Sequence, residues 1–579
     1  MEMKYMRNAA RRSRPPRIAE PLRVALLLLV LLVCGSLPAN AANRGELDLK
    51  VVDQETGEAL PVRVHLRDAR GRSVSSRAVS PHVIKMKDQL TIDGATRLAL
   101  PLGDYLIEIE HGPAFRQRSG HFKVERNSVD QHTLTLPRIA DLAREGWYAG
   151  DLMVARPVDD IPLLMRAEDL NVAVAITWTP QKNLWSNKPL PAAPTEAVEP
   201  GRFFHPLAIA DDRAGGLILS VVAAAFPPEA SFEPEWPTPL DVVTALRSGR
   251  AERPIAAALV PRDETDHRAG SAVEQTAEFA EPRGNAAVSL PAAEANVVHV
   301  AAGTPFAWDL PVWVAHQAID SVCVLHPSLQ RDADERPKED GKGKPRDLQK
   351  YGGGDGVGLW SRDIYYQLLN CGLRIPPSAA SGSGTTDNPP GYNRVYVYCG
   401  PRFEPRTWWD NLAAGKSVIS NGPLLRPRVN GELPGHLFQV EEGQEVTLEI
   451  ELTLSTREKI DYLEIVKNGR VAHNVRLDEF AKQNGRLPLV YFRESGWMLI
   501  RAVTSAENSY RYAASAPYYV QVGQQTRVSR AAAEFFRDWV YERAQKLAEP
   551  DPRRRRTILT QHRQAHDFWQ ALVDRANVP

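Results

Sequence analysis

Two side chains in this 579-residue sequence lie where metal or hydrolytic chemistry could use them. Asp151 stands near the end of the apolar segment 148–154, and His326 directly follows the apolar segment 321–325. Active sites of parallel α/β folds lie at the C-terminal ends of strands, where both residues are predicted. Carboxylate and imidazole groups also bind hydrolytic metals. Each residue has a structural alternative: Asp151 can cap a nearby turn, and His326 can line a cleft without binding metal.

Seven other residues are further candidates for a cleft. Two neighbouring aspartates precede Gly215 and are expected in a solvated turn. His299, within "NVVHVAA", is expected in the core. Asp309, in "AWDLPVW", is expected to cap a helix that starts at Leu310. Trp178 could stack on a sugar or an aromatic ligand, or it could pack in the core. The set is Arg156, Trp178, His205, Asp211, Asp212, His299 and Asp309.

The order of apolar segments predicts the elements that position these residues. The segment 148–154, a helical stripe from Ile161 to Leu170 and the continuous apolar run 172–176 form one βαβ unit. Similar alternation predicts a parallel α/β barrel or open sheet over residues 145–426. Further strands are predicted at 216–222, 296–300, 321–325 and 394–398, and further helices at 239–248, 310–317, 362–371 and 406–414.

Different patterns flank this α/β region. Residues 45–140 alternate in hydrophobicity between turn residues, which predicts an antiparallel β-sandwich. Alternating hydrophobicity returns over residues 427–524 and predicts a second β-sandwich. Residues 525–579 are predicted to form two helices with Pro550-Asp551-Pro552 between them. Polar or Pro-rich insertions are predicted at 181–203, 262–290 and 328–358, the last being either a surface loop or a lid.

The N-terminus has the features of an export signal. Basic residues precede the apolar run Val24 to Val33, and Ala39-Asn40-Ala41 follows it as a small-x-small cleavage pattern. The run is about half of the ~20 residues that cross a bilayer. We therefore predict cleavage near Ala41, a periplasmic or extracellular location, and no membrane span in the mature chain.

Charge and cysteine content exclude several classes of protein. Basic and acidic residues balance at 71 each, so no net field favours nucleic acid. Cys323, Cys371 and Cys399 are too few for a disulfide framework, and their spacing fits no zinc knuckle. They are expected to be small buried residues, with one disulfide left open.

Several stretches resemble a known family. They are "GWYAGDLMVARPVDDIPLLMRAEDLNVAVAITW", "PFAWDLPVWVA", "IYYQLLNCGLRIPPSAASGSG", "NPPGYNRVYV" and "ISNGPLL". Together they resemble CehA/McbA-type metallohydrolases of the PHP superfamily over residues 145–426, and "VVDQETGEALPVRVHL" resembles carboxypeptidase regulatory-like domains. The resemblance implies a distorted (βα)7 barrel and metal-dependent hydrolysis of ester or phosphoester bonds.

In this chain, the motif positions that bind metal in that family hold residues that do not bind metal. The family's His-x-His positions fall on Met153 and Ala155, and a thioether and a methyl do not hold a hydrolytic metal. The stretch matching a Ser-Asp-x-His motif, 377–384, has neither Asp nor His, and Thr177-Trp178-Thr179-Pro180 replaces an Asp-His pair.

Two hypotheses of function follow from this pattern. In the first, the protein is exported and non-catalytic, with a degenerate metal site and no cofactor, and acts by binding a partner or a small or carbohydrate-like ligand. In the second, a reduced site of Asp151, His326 and a third residue holds one divalent metal, Zn or Mn, and hydrolyses ester or phosphoester bonds. A reduced site needs at least three protein ligands.

Overall fold

The computed structural model describes residues 44–74, 77–78, 83–223, 232–248, 297–331, 342–505 and 509–579. The predicted export signal and the insertion 262–290 lie outside this part of the chain. The described residues form a mixed α/β structure in which strands predominate.

The N-terminal region consists of a four-stranded and a five-stranded sheet. Their strand orders are β3-β6-β1-β9 and β4-β5-β2-β7-β8. Leu47, Leu49 and Val51 alternate inward from β1, as their spacing predicts. β1 pairs in parallel with β9, so the predicted purely antiparallel arrangement is wrong at this edge. The strands are β1 (Arg44–Asp53), β2 (Val62–Asp68), β3 (Arg77–Ala78), β4 (Val83–Met86), β5 (Gln89–Ile92), β6 (Ala95–Pro101), β7 (Gly103–Glu110), β8 (Arg118–Val124) and β9 (Val129–Leu136).

The middle region contributes eleven strands to a 17-stranded sheet. Strands β17 and β19 have the predicted bounds, whereas β14 is a ten-residue strand that the sequence analysis did not predict. The strands are β10 (Trp147–Val154), β11 (Val172–Thr179), β12 (Lys182–Asn183), β13 (Glu196–Glu199), β14 (Arg202–Asp211), β15 (Ile218–Val222), β16 (Val297–Ala302), β17 (Ser321–Leu325), β18 (Pro377–Ala379), β19 (Arg394–Tyr398) and β20 (Ser417–Ser420).

This part of the sheet is mixed, which corrects the prediction of parallel strands. β10–β11, β11–β14, β16–β17 and β17–β18 are parallel. β14–β15, β15–β16, β10–β19 and β19–β20 are antiparallel, as are the short hairpin strands β12 and β13. Only residues 212–217 connect β14 to β15, and this is too short for the crossover that a parallel pair needs.

The C-terminal strands continue the same sheet. β28 pairs with β20, and β21, β23 and β26 form a separate three-stranded sheet. The strands are β21 (Leu424–Val429), β22 (Leu437–Val440), β23 (Val446–Ser455), β24 (Ile460–Lys467), β25 (Arg470–Val475), β26 (Arg486–Phe492), β27 (Gly496–Thr504), β28 (Tyr512–Ser515) and β29 (Tyr518–Val522). β21 therefore crosses the predicted boundary at residue 426, and the domain boundaries themselves stay predictions.

Eight helices pack around the sheets in the described part of the chain. The two predicted C-terminal helices are present, and the helix expected at 362–371 begins earlier, inside the predicted loop 328–358. Their bounds are α1 (Ile161–Ala167), α2 (Pro239–Arg247), α3 (Leu310–Ala315), α4 (Gly356–Asn370), α5 (Pro405–Ala413), α6 (Leu477–Lys482), α7 (Arg530–Gln545) and α8 (Pro552–Asp574). None of the helices that the structure describes is long and apolar enough to cross a membrane.

The core lies on both faces of β11. Val172 and Val174 belong to one large apolar cluster, with the helices of the middle region, and Ala173 and Ala175 belong to a second cluster shared with the N-terminal sheets. A strand covered on both faces is continuously apolar, which is why this stretch showed no alternation in the sequence.

Candidate functional site

Asp151 is completely buried in β10 and accepts four hydrogen bonds. Its Oδ1 accepts from the backbone N–H groups of Met153 at 3.0 Å and Ser381 at 2.9 Å. Its Oδ2 accepts from the backbone N–H of Gly391 at 2.7 Å and from the Ser381 hydroxyl. The carboxylate thus ties β10 to two separate loops.

Gly391 is required at this position. Its φ is 67°, and a Cβ there would lie 2.6 Å from Cδ2 of Leu170. Only glycine adopts this conformation without strain and leaves room for the approach to Asp151.

The protonation of Asp151 is set by two opposed effects. Burial raises its pKa, and the hydrogen bonds from Ser381, Gly391 and Met153 oppose that rise. A carboxylate has about four lone-pair sites, and here each of them meets a donor. Asp151 therefore has no free lone pair with which to bind a metal ion.

The strand is irregular at Met153 and Ala155, the positions where the resemblance implies two histidines. β10 ends at Val154, and its pairing with β11 shifts register between Asp151 and Val154. Leu152 and Met153 consequently lie in the same core cluster although they are adjacent in sequence. The i, i+2 alternation that would place Met153 and Ala155 on one side is interrupted here.

His326 is buried at the end of β17 and hydrogen-bonds to one serine. Its Nε2 lies 2.8 Å from the hydroxyl of Ser361, which itself donates to the carbonyl of Val357. Nε2 must therefore carry the proton, since the serine proton is already used. Burial lowers the pKa of His326 to about 3, so the ring is neutral at physiological pH.

His205 and His299 are core histidines that share a tryptophan neighbour. Trp409 donates from Nε1 to His205 Nε2 at 2.8 Å, and its ring centroid lies 5.2 Å from that of His299. Burial lowers the pKa of both, that of His205 to about 4. His299 Nε2 contacts the hydroxyl of Ser321 at 2.8 Å. His299 is thus a buried, hydrogen-bonded side chain.

Two predictions about aspartates are wrong. Asp211 is not in a solvated turn: it is 1% exposed and forms a two-pronged ion pair with Arg213, at 2.8 and 2.6 Å. Asp309 occupies the expected N-cap position, but its side chain makes no capping hydrogen bond and instead accepts from Nε of Arg543 at 2.7 Å. Asp212 is half exposed and pairs with Lys342 at 2.8 Å.

The two remaining cleft candidates have structural contacts. Trp178 is 3% exposed, and its ring packs edge-to-face on Phe232 at 5.0 Å. Arg156 donates from Nε to the hydroxyl of Ser383 at 3.0 Å. Trp178 is therefore core rather than a stacking surface.

Potential metal ligands are not grouped among the described residues, and the three cysteines there are unpaired. In the ranges that the structure describes, no three His, Cys, Asp or Glu side chains are grouped so that they could hold a metal ion. Cys323, Cys371 and Cys399 are free thiols, and burial raises the pKa of Cys323 to about 12, which disfavours its thiolate.

A second site lies on the other side of Gly391. This arginine pocket is lined by residues from the N-terminal sheets, the middle region and the C-terminal strands. Five arginines and two glutamates line it, together with the segments 389–392 and 420–422, which belong to the family-like stretches "NPPGYNRVYV" and "ISNGPLL". The charged residues are Arg63, Glu110, Glu168, Arg331, Arg394, Arg457 and Arg511.

Glu110 is the centre of this charge cluster. Its carboxylate accepts from Arg63 at 2.8 Å and Arg331 at 2.5 Å, and Arg457 lies 3.5 Å away. Burial would raise the pKa of Glu110, but these three guanidinium groups hold it well below its usual range. His65 is neutral because burial lowers its pKa to about 3, and its Nε2 accepts from Arg331 at 2.9 Å.

This pocket is not evident from the sequence, because its charged residues are far apart in the chain. Arg63 and Glu110 are separated by 47 residues, and Arg331 and Glu110 by 221. A single arginine in a polar stretch of sequence does not indicate that it will meet other arginines in the folded protein. The only hint was the pair of family-like stretches, which the sequence analysis quoted but did not connect.

Comparisons with known proteins add no functional assignment. No model of a known protein family matches this chain, and no curated protein matches it. Among solved structures, the chain is similar to the Bacillus anthracis TIE protein (17% identity, 20% of each chain, TM-score 0.14). It is also similar to phospholipase PlaB from Legionella pneumophila (9% identity, 18% of this chain and 26% of that one, TM-score 0.13) and to a pilus-presented adhesin, Cpa (14%, 18% and 28%, TM-score 0.13). These matches span at most 28% of the solved chains and carry no argument about fold or function.

Proposed function

We propose that this protein is an exported PHP-like protein that binds a ligand or partner and does not catalyse hydrolysis. The main support for the absence of hydrolysis is that both oxygens of Asp151 already accept hydrogen bonds from the protein. Two backbone N–H groups hold Oδ1, and a third N–H and a hydroxyl hold Oδ2. A metal ion at this carboxylate would have to displace donors that position two loops.

The second potential ligand, His326, is enclosed in the core. His326 Nε2 donates to Ser361, and the unpaired Nδ1 is completely buried. A hydrolytic metal needs at least three protein ligands and an open position for water. With Met153 and Ala155 at the expected imidazole positions, this part of the protein supplies neither.

We also infer that the middle region is a PHP-like barrel of seven strands. Support comes from the series of pairings β10–β11–β14–β15–β16–β17–β18. The series returns to β10 through one parallel bridge between Val154 and Ser383, where the Ala155 N–H donates to the Ser383 carbonyl at 2.7 Å. In this proposal, β15 is the only strand of the ring that runs opposite to the others.

Export is the third part of the proposal. It rests on the basic and apolar residues before Ala39-Asn40-Ala41, which resemble a cleaved signal. Intact-mass measurement of protein from the periplasm or medium should give a mature N-terminus at Ala42 or Asn43. A chain that starts at Met1 and stays in the membrane would contradict export.

The absence of catalysis has a direct test. Purified wild-type protein is assayed for Zn, Mn and Fe by elemental analysis and for hydrolysis of ester and phosphoester substrates with and without a chelator. We expect sub-stoichiometric metal and no chelator-sensitive hydrolysis. One equivalent of metal together with chelator-sensitive turnover would establish the alternative, a metal-dependent hydrolase with a reduced site.

A further inference from the structure

The charges around the arginine pocket are unbalanced. Five arginines and two glutamates line it. Two more carboxylates lie at its edge: Glu458, which pairs with Arg511 at 3.2 Å, and Glu108, 4.0 Å from Arg331. The arginines still outnumber the carboxylates when all four are counted, and His65 adds no negative charge.

One of these arginines has a buried donor without an acceptor. The Arg63 side chain is 4% exposed; Nη2 donates to Glu110, and Nη1 lies 3.1 Å from Glu168. No described residue accepts a hydrogen bond from Arg63 Nε. Leaving a buried charged donor unpaired is more costly than leaving a neutral one unpaired. Arg511 Nε, which belongs to another lining residue of the pocket, also has no acceptor among the described residues.

The size of the pocket limits what can accept these bonds. Its cavity volume is ≈ 30 Å³. One water needs roughly 10–15 Å³ of such space, so the cavity holds about two water-sized groups. The two oxygens of a carboxylate match that size, and guanidinium groups bind carboxylates with two parallel hydrogen bonds.

Two residues that line the pocket, Gly391 and Asn421, are held in position by hydrogen bonds to the surrounding protein. Gly391 is fixed by Asp151, and its carbonyl accepts from Arg394 Nε at 2.5 Å. Asn421 accepts from the backbone N–H of Tyr512 at 2.9 Å and donates to the Tyr510 carbonyl at 3.0 Å. A site that is already ordered loses little conformational entropy when a ligand enters.

We propose that the arginine pocket binds the carboxylate group of a small organic acid. This deepens the proposed binding function and rests on it only for the premise that the protein is a binder. Arg63 and Arg511 supply the unpaired donors, and the surplus positive charge of the cluster supplies the attraction.

The test uses acetate as the carboxylate and acetamide as its neutral isostere. The full mature protein is titrated with each, and with sulfate, at constant ionic strength, by calorimetry and by thermal unfolding. We expect saturable one-to-one acetate binding, a rise of Tm with acetate, and no response to acetamide. No saturable binding, equal responses to acetate and acetamide, or tighter binding of sulfate would overturn the proposal.

Variants locate the site. Arg511→Gln should weaken acetate binding by about tenfold or more, since it removes one charge-assisted contact. Arg537→Gln is the matched control, because Arg537 is similarly exposed (25% against 21%) and pairs with Asp538 on α7, away from the pocket. If Arg511→Gln does not fold, Arg457→Gln gives the same test. Equal affinity in wild type and a folded pocket variant would refute the assignment. The metal and hydrolysis assays are separate, so either proposal can fail alone.

Discussion

Asp151 and the arginine pocket lie on either side of Gly391, and they differ in how fully their charges are paired. Asp151 is one buried carboxyl group with four donors directed at it. In the pocket, cations outnumber anions and Arg63 Nε has no acceptor in the described structure. The first cluster is complete without a ligand, whereas the second has unused hydrogen-bonding capacity.

This difference shows which kind of residue indicates function. Asp151 occupies the position where a resemblance to metallohydrolases implies a ligand, but its contacts are those of a structural residue. The pocket arginines matched no motif, yet their surplus charge and buried donors are what an anionic ligand would need. The two sites differ in how fully their hydrogen-bonding groups are paired, and this difference is more informative than the residue type found at a motif position.

The largest effect is expected from removing the Asp151 carboxylate. Asp151→Ala leaves three buried N–H groups without an acceptor, each costing about 1–3 kcal/mol, so unfolding free energy should fall by about 4 kcal/mol or more. Asp151→Asn keeps an oxygen at Oδ1 and should lose less. Urea denaturation at neutral pH measures both. A stable, soluble Asp151→Ala protein would show that the carboxylate is not structural.

Glu110→Gln tests the central carboxylate of the pocket. It leaves three arginines without their shared partner, and the loss of unfolding free energy at pH 7 should be about 3 kcal/mol. The pKa of Glu110 is lowered in the folded state, so its stabilisation is present above the unfolded pKa and is lost as pH falls. Urea denaturation should therefore show the difference from wild type shrinking between pH 7 and pH 3.5. A constant difference would mean that Glu110 acts through packing alone.

The buried neutral histidine gives a smaller, pH-dependent effect. With a folded pKa of about 3 against 6.5 for the unfolded chain, His326 makes stability fall as pH drops below 6.5. His326→Gln keeps a donor for Ser361 and removes this titration. Between pH 6.5 and 5, the mean slope of unfolding free energy against pH should be lower in the variant by about 1 kcal/mol per pH unit. Identical slopes would show that the ring titrates normally when folded.

The smallest effect is expected at Asp212. Its ion pair with Lys342 joins two half-exposed side chains, so Asp212→Asn should change the unfolding free energy by about 1 kcal/mol or less. It also serves as the exposed control for Asp151→Asn in the same denaturation series. A loss as large as that of Asp151→Asn would remove the contrast between buried and exposed aspartates.

Much of the secondary structure followed from the sequence, because long apolar runs are buried wherever they lie. β17 and β19 were predicted with their observed ends. β14 was missed because "RFFHPLAIAD" carries a histidine and a proline within its apolar stretch and follows a Pro-rich segment. Strand direction was not predictable either, since it depends on connections such as 212–217 rather than on the strands.

The site was less predictable than the fold. Asp309 looked like a helix cap because it precedes Leu310, but Arg543, 234 residues away, binds its carboxylate instead. Asp211 looked solvated because a glycine-containing turn follows, and its pairing with Arg213 depends on burial by later segments. Long-range ion pairs of this kind leave no periodic signal in a sequence.

The most direct test of the account is zinc calorimetry on wild-type protein and on the Met153→His and Met153→His/Ala155→His variants. We predict no saturable zinc binding by the wild type or the single variant. The double variant should bind weakly at most, because the Asp151 oxygens already accept four hydrogen bonds and His326 is completely buried. Tight one-to-one binding of zinc by the wild type would contradict the structural role of Asp151 and favour a metal-dependent hydrolase.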